Sequence, residues 1–218
     1  EVKAQLSQMH TYIGALVGDY RLAMVTYRDR EDEYLTKQEP FTTDYYRILN
    51  FVERVNASGG DDIPEAVFDG IKVAVEYLRW RRNAFKVVLL FGDAPPHERQ
   101  VQAWRSLAGR FQRRKGVIHT IYTDVGARAG TLENDGQKPV AAFRSIARYG
   151  GGSFTFIDQE SEIVRAIQLM IFGKEHAAEV ERVQAQLDFG WRGRHIRRKI
   201  KERNIKWLLD IFRKRERV

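Results

Sequence analysis

Lys86-Val87-Val88-Leu89-Leu90-Phe91-Gly92-Asp93-Ala94-Pro95-Pro96-His97 is the stretch whose reading decides the fold. After Lys86 the apolar residues run without alternation. That is the pattern of a strand covered on both faces, as at the centre of a parallel sheet, and not of a strand with one wet side. Gly92-Asp93 ends the run abruptly, and Pro95-Pro96 stiffens the loop that follows.

Outward from this strand, helical and extended patterns alternate. Upstream, Val2, Leu6, Met9, Ile13 and Leu16 make a helical stripe over 2–17, broken at Gly18-Asp19. Arg21–Arg28 reads as a buried strand, and 32–37 as a short edge strand paired back to it through a polar hairpin. Thr43 is placed to cap a helix through Val55. Ser58-Gly59-Gly60-Asp61-Asp62-Ile63-Pro64-Glu65 is a turn entering a further helix, with Pro64 near its first position. Downstream, helix 100–115 carries Val101, Trp104, Leu107 and Phe111 on one face. Val117–Thr123 is a strand, 124–138 a Gly-rich loop, 140–149 a helix, Ser153–Ile157 a strand and 161–172 a last helix. This order predicts a doubly wound α/β domain over 1–173, a mostly parallel sheet with helices on both faces and right-handed crossovers. Residues 174–218 are expected to form a separate helical extension.

In such sheets, ligands bind where strands end at their carboxyl edge. Two acidic loops fall there: one holds Asp61, Asp62 and Glu65, the other Asp93. Convergent carboxylates suit a hard cation, Mg²⁺ or Ca²⁺, which takes oxygen ligands. Each acid also has a plainer reading. Asp61 or Asp62 would cap the helix at Pro64, Glu65 would favour its dipole, and Asp93 would shape the turn before the prolines. The mixed-charge run Arg28, Asp29, Arg30, Glu31, Asp32 and Glu33 reads either as a solvated hairpin or as a rim that selects a charged partner, and the lone His97 after Pro95-Pro96 reads as a polar rim residue rather than a ligand.

Other chemistries find little support. No cysteine is present, which excludes disulfides, thiolate metal sites and Cys nucleophiles, and leaves the compartment open. The five histidines show no HExxH spacing, and GxSxG, the P-loop and GxGxxG are all absent. These absences count against an enzyme reading.

Charge is unevenly distributed. Residues 190–218 hold twelve basic and three acidic residues, a net of +9; the whole chain is +8, so residues 1–189 sum to −1. The basic character is therefore expected to belong to the tail. There Ile196, Ile200, Trp207, Leu208, Ile211 and Phe212 share a helical face, with Arg194, Arg197, Arg198, Lys199 and Lys201 among the residues covering the rest. Such a helix suits an anionic membrane, a partner groove or nucleic acid phosphates, or packs back on its own domain.

The element order, together with SGGDDIPEAVFDGI (58–71), KVVLLFGDAPPH (86–97) and the ending from Phe143 to Gly173, resembles a von Willebrand factor A-type (vWA) domain. The Tyr-Arg-Asp-Arg run at 27–30 is similar to that of a bacterial subgroup, and PEAVFDGI to the I-like domain of integrin β subunits. The resemblance implies a protein-binding module with a metal-ion-dependent adhesion site. Its Mg²⁺ (or Ca²⁺ or Mn²⁺) keeps an open position for a partner's carboxylate. Asp93 matches the family's third metal loop, where the acid usually acts through water. The integrin β match implies Glu65 as a direct ligand and Asp62 beside an adjacent ion; the wider family alignment implies Asp61 or Asp62. The family's first loop, Asp-x-Ser-x-Ser at the end of a first strand, is not found, because Glu1 already falls in the helix expected after it. The resemblance therefore implies a chain that starts past that strand, and a gap in the sheet between 21–28 and 86–91.

Overall fold

The computed structural model describes residues 2–28, 32–55, 65–97, 100–123, 137–157 and 160–189. It divides into two compact units, one holding the first helix and the last two, the other spanning Arg21–Glu160. In the first unit, α1 (Val2–Leu16), α6 (Glu160–Phe172) and α7 (Ala177–Phe189) come together, the last entered through a single 3₁₀ turn. Leu16, Phe172, Val180 and Val183 are buried against one another. Polar ties join α6 to α7: Gln184 Nε2 donates to Oε1 of the buried Gln168 at 2.6 Å, and Arg165 pairs with Glu181 at 2.5 Å.

Among the described residues, the larger unit carries two sheets. β1 (Leu22–Tyr27) pairs antiparallel with β2 (Thr36–Thr42), with a register slip between Leu22 and Met24. β3 (Lys86–Gly92), β4 (Gly116–Tyr122) and β5 (Gly151–Phe156) form a parallel sheet in that order. The continuous apolar run thus sits in a parallel ladder, as its pattern required. Among the described residues no ladder joins β1 to β3, which agrees with the expected gap. The edge strand lies later than 32–37: residues 32–35 are used in the turn, and the ladder starts at Thr36. β2 also accepts Pro40, whose missing N–H is tolerated on an edge strand.

Four helices complete this unit: α2 (Tyr45–Arg54), α3 (Val67–Lys72), α4 (Val101–Arg113) and α5 (Gln137–Tyr149). The cap of α2 is Asp44, not Thr43. Its carboxylate accepts from Tyr46 N at 2.9 Å, and Thr42 Oγ1 accepts from Asp44 N at 2.9 Å, so the preceding strand's last hydroxyl fixes the cap. α3 starts at Val67, after Pro64, and runs on into a five-residue π-helical segment, Val73–Tyr77. α4 stops at Arg113 because Lys115 turns into the left-handed region, at φ 59°.

The core lies between α3–α5 and one face of the parallel sheet. Val67, Ile71, Val75, Leu90, Trp104, Leu107, Phe111, Ile118, Tyr122, Phe143 and Ile146 bury one another there. Ile118 and Tyr122 face this cluster, while the alternate residues of β4, His119 and Ile121, are buried as well. β4 is therefore covered on both faces, as the sequence of a parallel strand demands.

Candidate functional site

The carboxyl ends of β1 and β3 meet at a tyrosine. Tyr27 is the last residue of β1, and its hydroxyl donates to the Phe91 carbonyl at 2.8 Å. Gly92 O accepts from Thr123 N on the β4 side at 3.1 Å. Carbonyls alternate along a strand, so that of Phe91 points to the opposite, unpaired edge of β3. The phenol therefore caps a carbonyl that no ladder satisfies. Two glycines make room for the ring: a Cβ on Gly70 would come within 2.7 Å of it, and a Cβ on Gly92 within 2.6 Å of its hydroxyl.

The two acidic loops close around this tyrosine. Glu65 N donates to Pro95 O at 3.0 Å, and Glu65 forms an isolated parallel bridge with Pro96. The entrance to α3 is thereby stitched by backbone to the loop after β3. Tyr122, at the end of β4, donates its hydroxyl to the Asp93 carbonyl at 2.7 Å and holds that loop from the other side. Loss of water around the Tyr27 phenol, followed by the negative charges of Glu65 and Asp93, pushes its pKa well above the usual tyrosine value. Both carboxylates are thus close enough to bias one hydroxyl. A second tie runs behind them, where Gln100 Nε2 donates to Asp69 Oδ2 at 3.4 Å.

Of the expected site residues, Glu65 and Asp93 are brought together, Glu65 half-buried and Asp93 exposed. Asp61 and Asp62 lie outside the described residues, as do Asp29 and Arg30 of the rim. Arg28 follows β1, with its N–H bonded to Leu35 O at 3.1 Å and its guanidinium over the Tyr34 ring at 4.7 Å. Lys37 Nζ also lies over that ring, at 3.9 Å, and pairs with Glu33 at 3.2 Å. His97 is half-buried, and its carbonyl accepts from Gln100 N at 3.0 Å as the chain turns into α4. The tail residues Arg194, Arg197, Arg198, Lys199, Lys201 and Trp207 lie outside the described residues. Periodicity alone did not single out Tyr27 or Tyr122. The signal available was a tyrosine ending an apolar strand just before a charged loop, at the edge where ligands bind.

The donor set can be tested against a cation. All the carboxylates are oxygen donors with no thiolate nearby, which fits a hard metal. Among the described residues no three His, Cys, Asp or Glu side chains cluster closely enough to hold an ion. Donor type therefore fits, while Glu65 and Asp93 fall short of the six or more oxygens a hard cation takes.

Comparison with known proteins agrees with this architecture. The chain is similar to the conserved hypothetical protein BatB from Bacteroides thetaiotaomicron, with TM-score 0.57 and 17% identity over 81% of this chain and 87% of that one. It is also similar to the SpRpn10 VWA domain, with TM-score 0.51 and 17% identity over 76% of this chain and 81% of the other. At these identities the likeness is one of fold. A stretch of 57 residues is 37% identical to the alpha-protein kinase vwkA of Dictyostelium discoideum, covering 26% of this chain and only 9% of that protein. The von Willebrand factor A domain profile matches residues 17–159, more than half of the chain, and the chain belongs to that family.

Proposed function

We propose that this chain is a non-catalytic protein-binding module whose partner docks on a divalent cation at the carboxyl end of the parallel sheet. The observation that carries the reading is the backbone bridge between Glu65 and Pro96, which brings two acidic loops of distant sequence to one side of Tyr27. A cation bound between the two loops would offset the negative charge that both carry. Glu65, Asp93 and an acid from Asp61 and Asp62 would hold Mg²⁺, with Ca²⁺ or Mn²⁺ as substitutes. The metal would supply Lewis acidity toward a carboxylate of the partner. Arg28 and Lys37, both stacked on Tyr34 beside the end of β1, favour an acidic partner segment.

The test is thermal melting of the full chain in Mg²⁺ and in EDTA. A ligand that binds only the folded state at a hundred times its Kd stabilises by about 2.7 kcal/mol. In a protein of this size that is a rise of roughly 2–4 °C per kcal/mol. The shift is expected in the parent chain and should vanish in the double variant Asp62→Ala/Asp93→Ala. A shift that persists in the double variant would place the metal elsewhere.

A further inference from the structure

We propose that the amino-terminal end of the parallel sheet is a docking surface for the phosphate backbone of nucleic acid. It is formed by Arg79, Arg81 and Arg82 before β3 and by Arg113, Arg114 and Lys115 before β4.

The sequence places six basic residues in two short segments, with no acid anywhere in 79–92 or 101–123. Parallel pairing then sets those segments side by side. Lys86 lies opposite Gly116 in the ladder, so the turns that enter the two strands emerge about 4.8 Å apart. A buried ammonium locks them together. Lys86 Nζ donates to Arg82 O, Ala84 O and Arg114 O, each at 3.0 Å. The second turn is fixed further by Arg114 N to Phe111 O at 2.9 Å and Lys115 N to Gln112 O at 3.0 Å. The side chains of Arg79, Arg82, Arg113, Arg114 and Lys115 are exposed, and Arg81 is half-buried. Burial first, and then the charges of Arg114 and Lys115, pull Lys86 below the usual lysine value. On the neighbouring helical segment Glu76 is engaged by Arg110 at 2.7 Å.

Helix capping accounts for part of this charge. Cations in and just after the last turn of α4 meet its carbonyl ends, where the helix dipole favours them. That explains Arg113 and Arg114, and does not account for the exposed Arg79 and Arg82.

The composition selects the partner. Five of the six are arginines, whose planar forks bind phosphate oxygens in pairs. The aromatic residue in the patch is already committed: Trp80 Nε1 donates to Ala74 O at 2.8 Å, and its ring packs between Phe41 and Phe111. It offers neither an apolar anchor for a protein interface nor a wedge for a bilayer. What remains is a set of exposed guanidinium groups carried on turns whose backbones are locked together, which suits a polymer of regularly spaced charges bound without regard to sequence.

The probe is a labelled 20-base-pair duplex of arbitrary sequence, titrated with the full chain by fluorescence anisotropy across a series of KCl concentrations. The comparison is with Arg82→Glu/Arg114→Glu/Lys115→Glu. Because residues 190–218 are unchanged in both proteins, the difference reports the patch alone. The expected result is at least a tenfold loss of affinity. The slope of log affinity against log salt should also become shallower by about 0.9 for each phosphate contact removed. If the reversal variant melts early, Arg79→Gln/Arg82→Gln/Arg114→Gln is used, and the slope change must still appear. Absence of duplex binding by the parent chain, or equal affinity and slope in the variants, would overturn the proposal. So would a loss confined to phosphatidylserine vesicles or polyglutamate with duplex binding intact.

Discussion

Tyr27 links the fold to the site. Its ring fills the space left by Gly70 and Gly92, its hydroxyl satisfies an edge carbonyl, and its acidity is set partly by the two carboxylates of the proposed metal site. A Tyr27→Phe variant keeps the ring and loses only the donor. Removing this hydrogen bond, which is open to water on the Phe91 side, costs about 0.5–1.5 kcal/mol. Urea denaturation should show that loss as a lower midpoint with an unchanged slope, and an unchanged midpoint would mean water replaces the phenol. Little of this was legible in the sequence. Glu65 and Asp93 could be placed at the ligand edge from strand ends alone, since an apolar run followed by Gly-Asp marks that edge by itself. What Tyr27 does depends on a carbonyl 64 positions away, and no local pattern encodes that.

At the level of elements, the legible and illegible parts separate by the range of the forces involved. The run 86–91 announces a buried parallel strand because both faces must be apolar. The helical stripes of α1 and α4 announce themselves for the corresponding reason. The boundaries that moved were set by single polar contacts: Asp44 took the cap of α2 with help from Thr42, and Lys115 ended α4 by turning left-handed. The lock at the other end of the sheet was hidden too, since a lysine at a strand's start reads as solvent-exposed, whereas Lys86 is buried and gives its donors to three carbonyls. Lys86→Met keeps the stem and removes those donors. The gain from no longer burying an ammonium is outweighed by three carbonyls losing charge-assisted bonds, so a net loss of about 2 kcal/mol is expected. Chemical denaturation checks this, and a variant as stable as the parent would show that the two turns hold without the lock.

For the molecule as a whole, a net charge does not say where on the fold the charges sit. Residues 1–189 sum to −1, which pointed to the tail as the source of any attraction to polyanions. The same residues fold so that Glu65 and Asp93 lie at one end of the parallel sheet and Arg82 and Arg114 at the other. A sum near zero therefore conceals two opposed poles, which suit a cation at one end and an anionic polymer at the other. The central claim concerns the acidic pole, and counting bound Mn²⁺ by electron paramagnetic resonance tests it most directly. Free Mn²⁺ gives a sharp signal that binding suppresses, so a titration reads stoichiometry without reference to activity. The account predicts a site that saturates in the full chain, is displaced by Mg²⁺, and is lost in Asp93→Ala while the fold remains intact. Mn²⁺ bound equally well by the Asp93→Ala protein, or not bound by the parent chain, would contradict it.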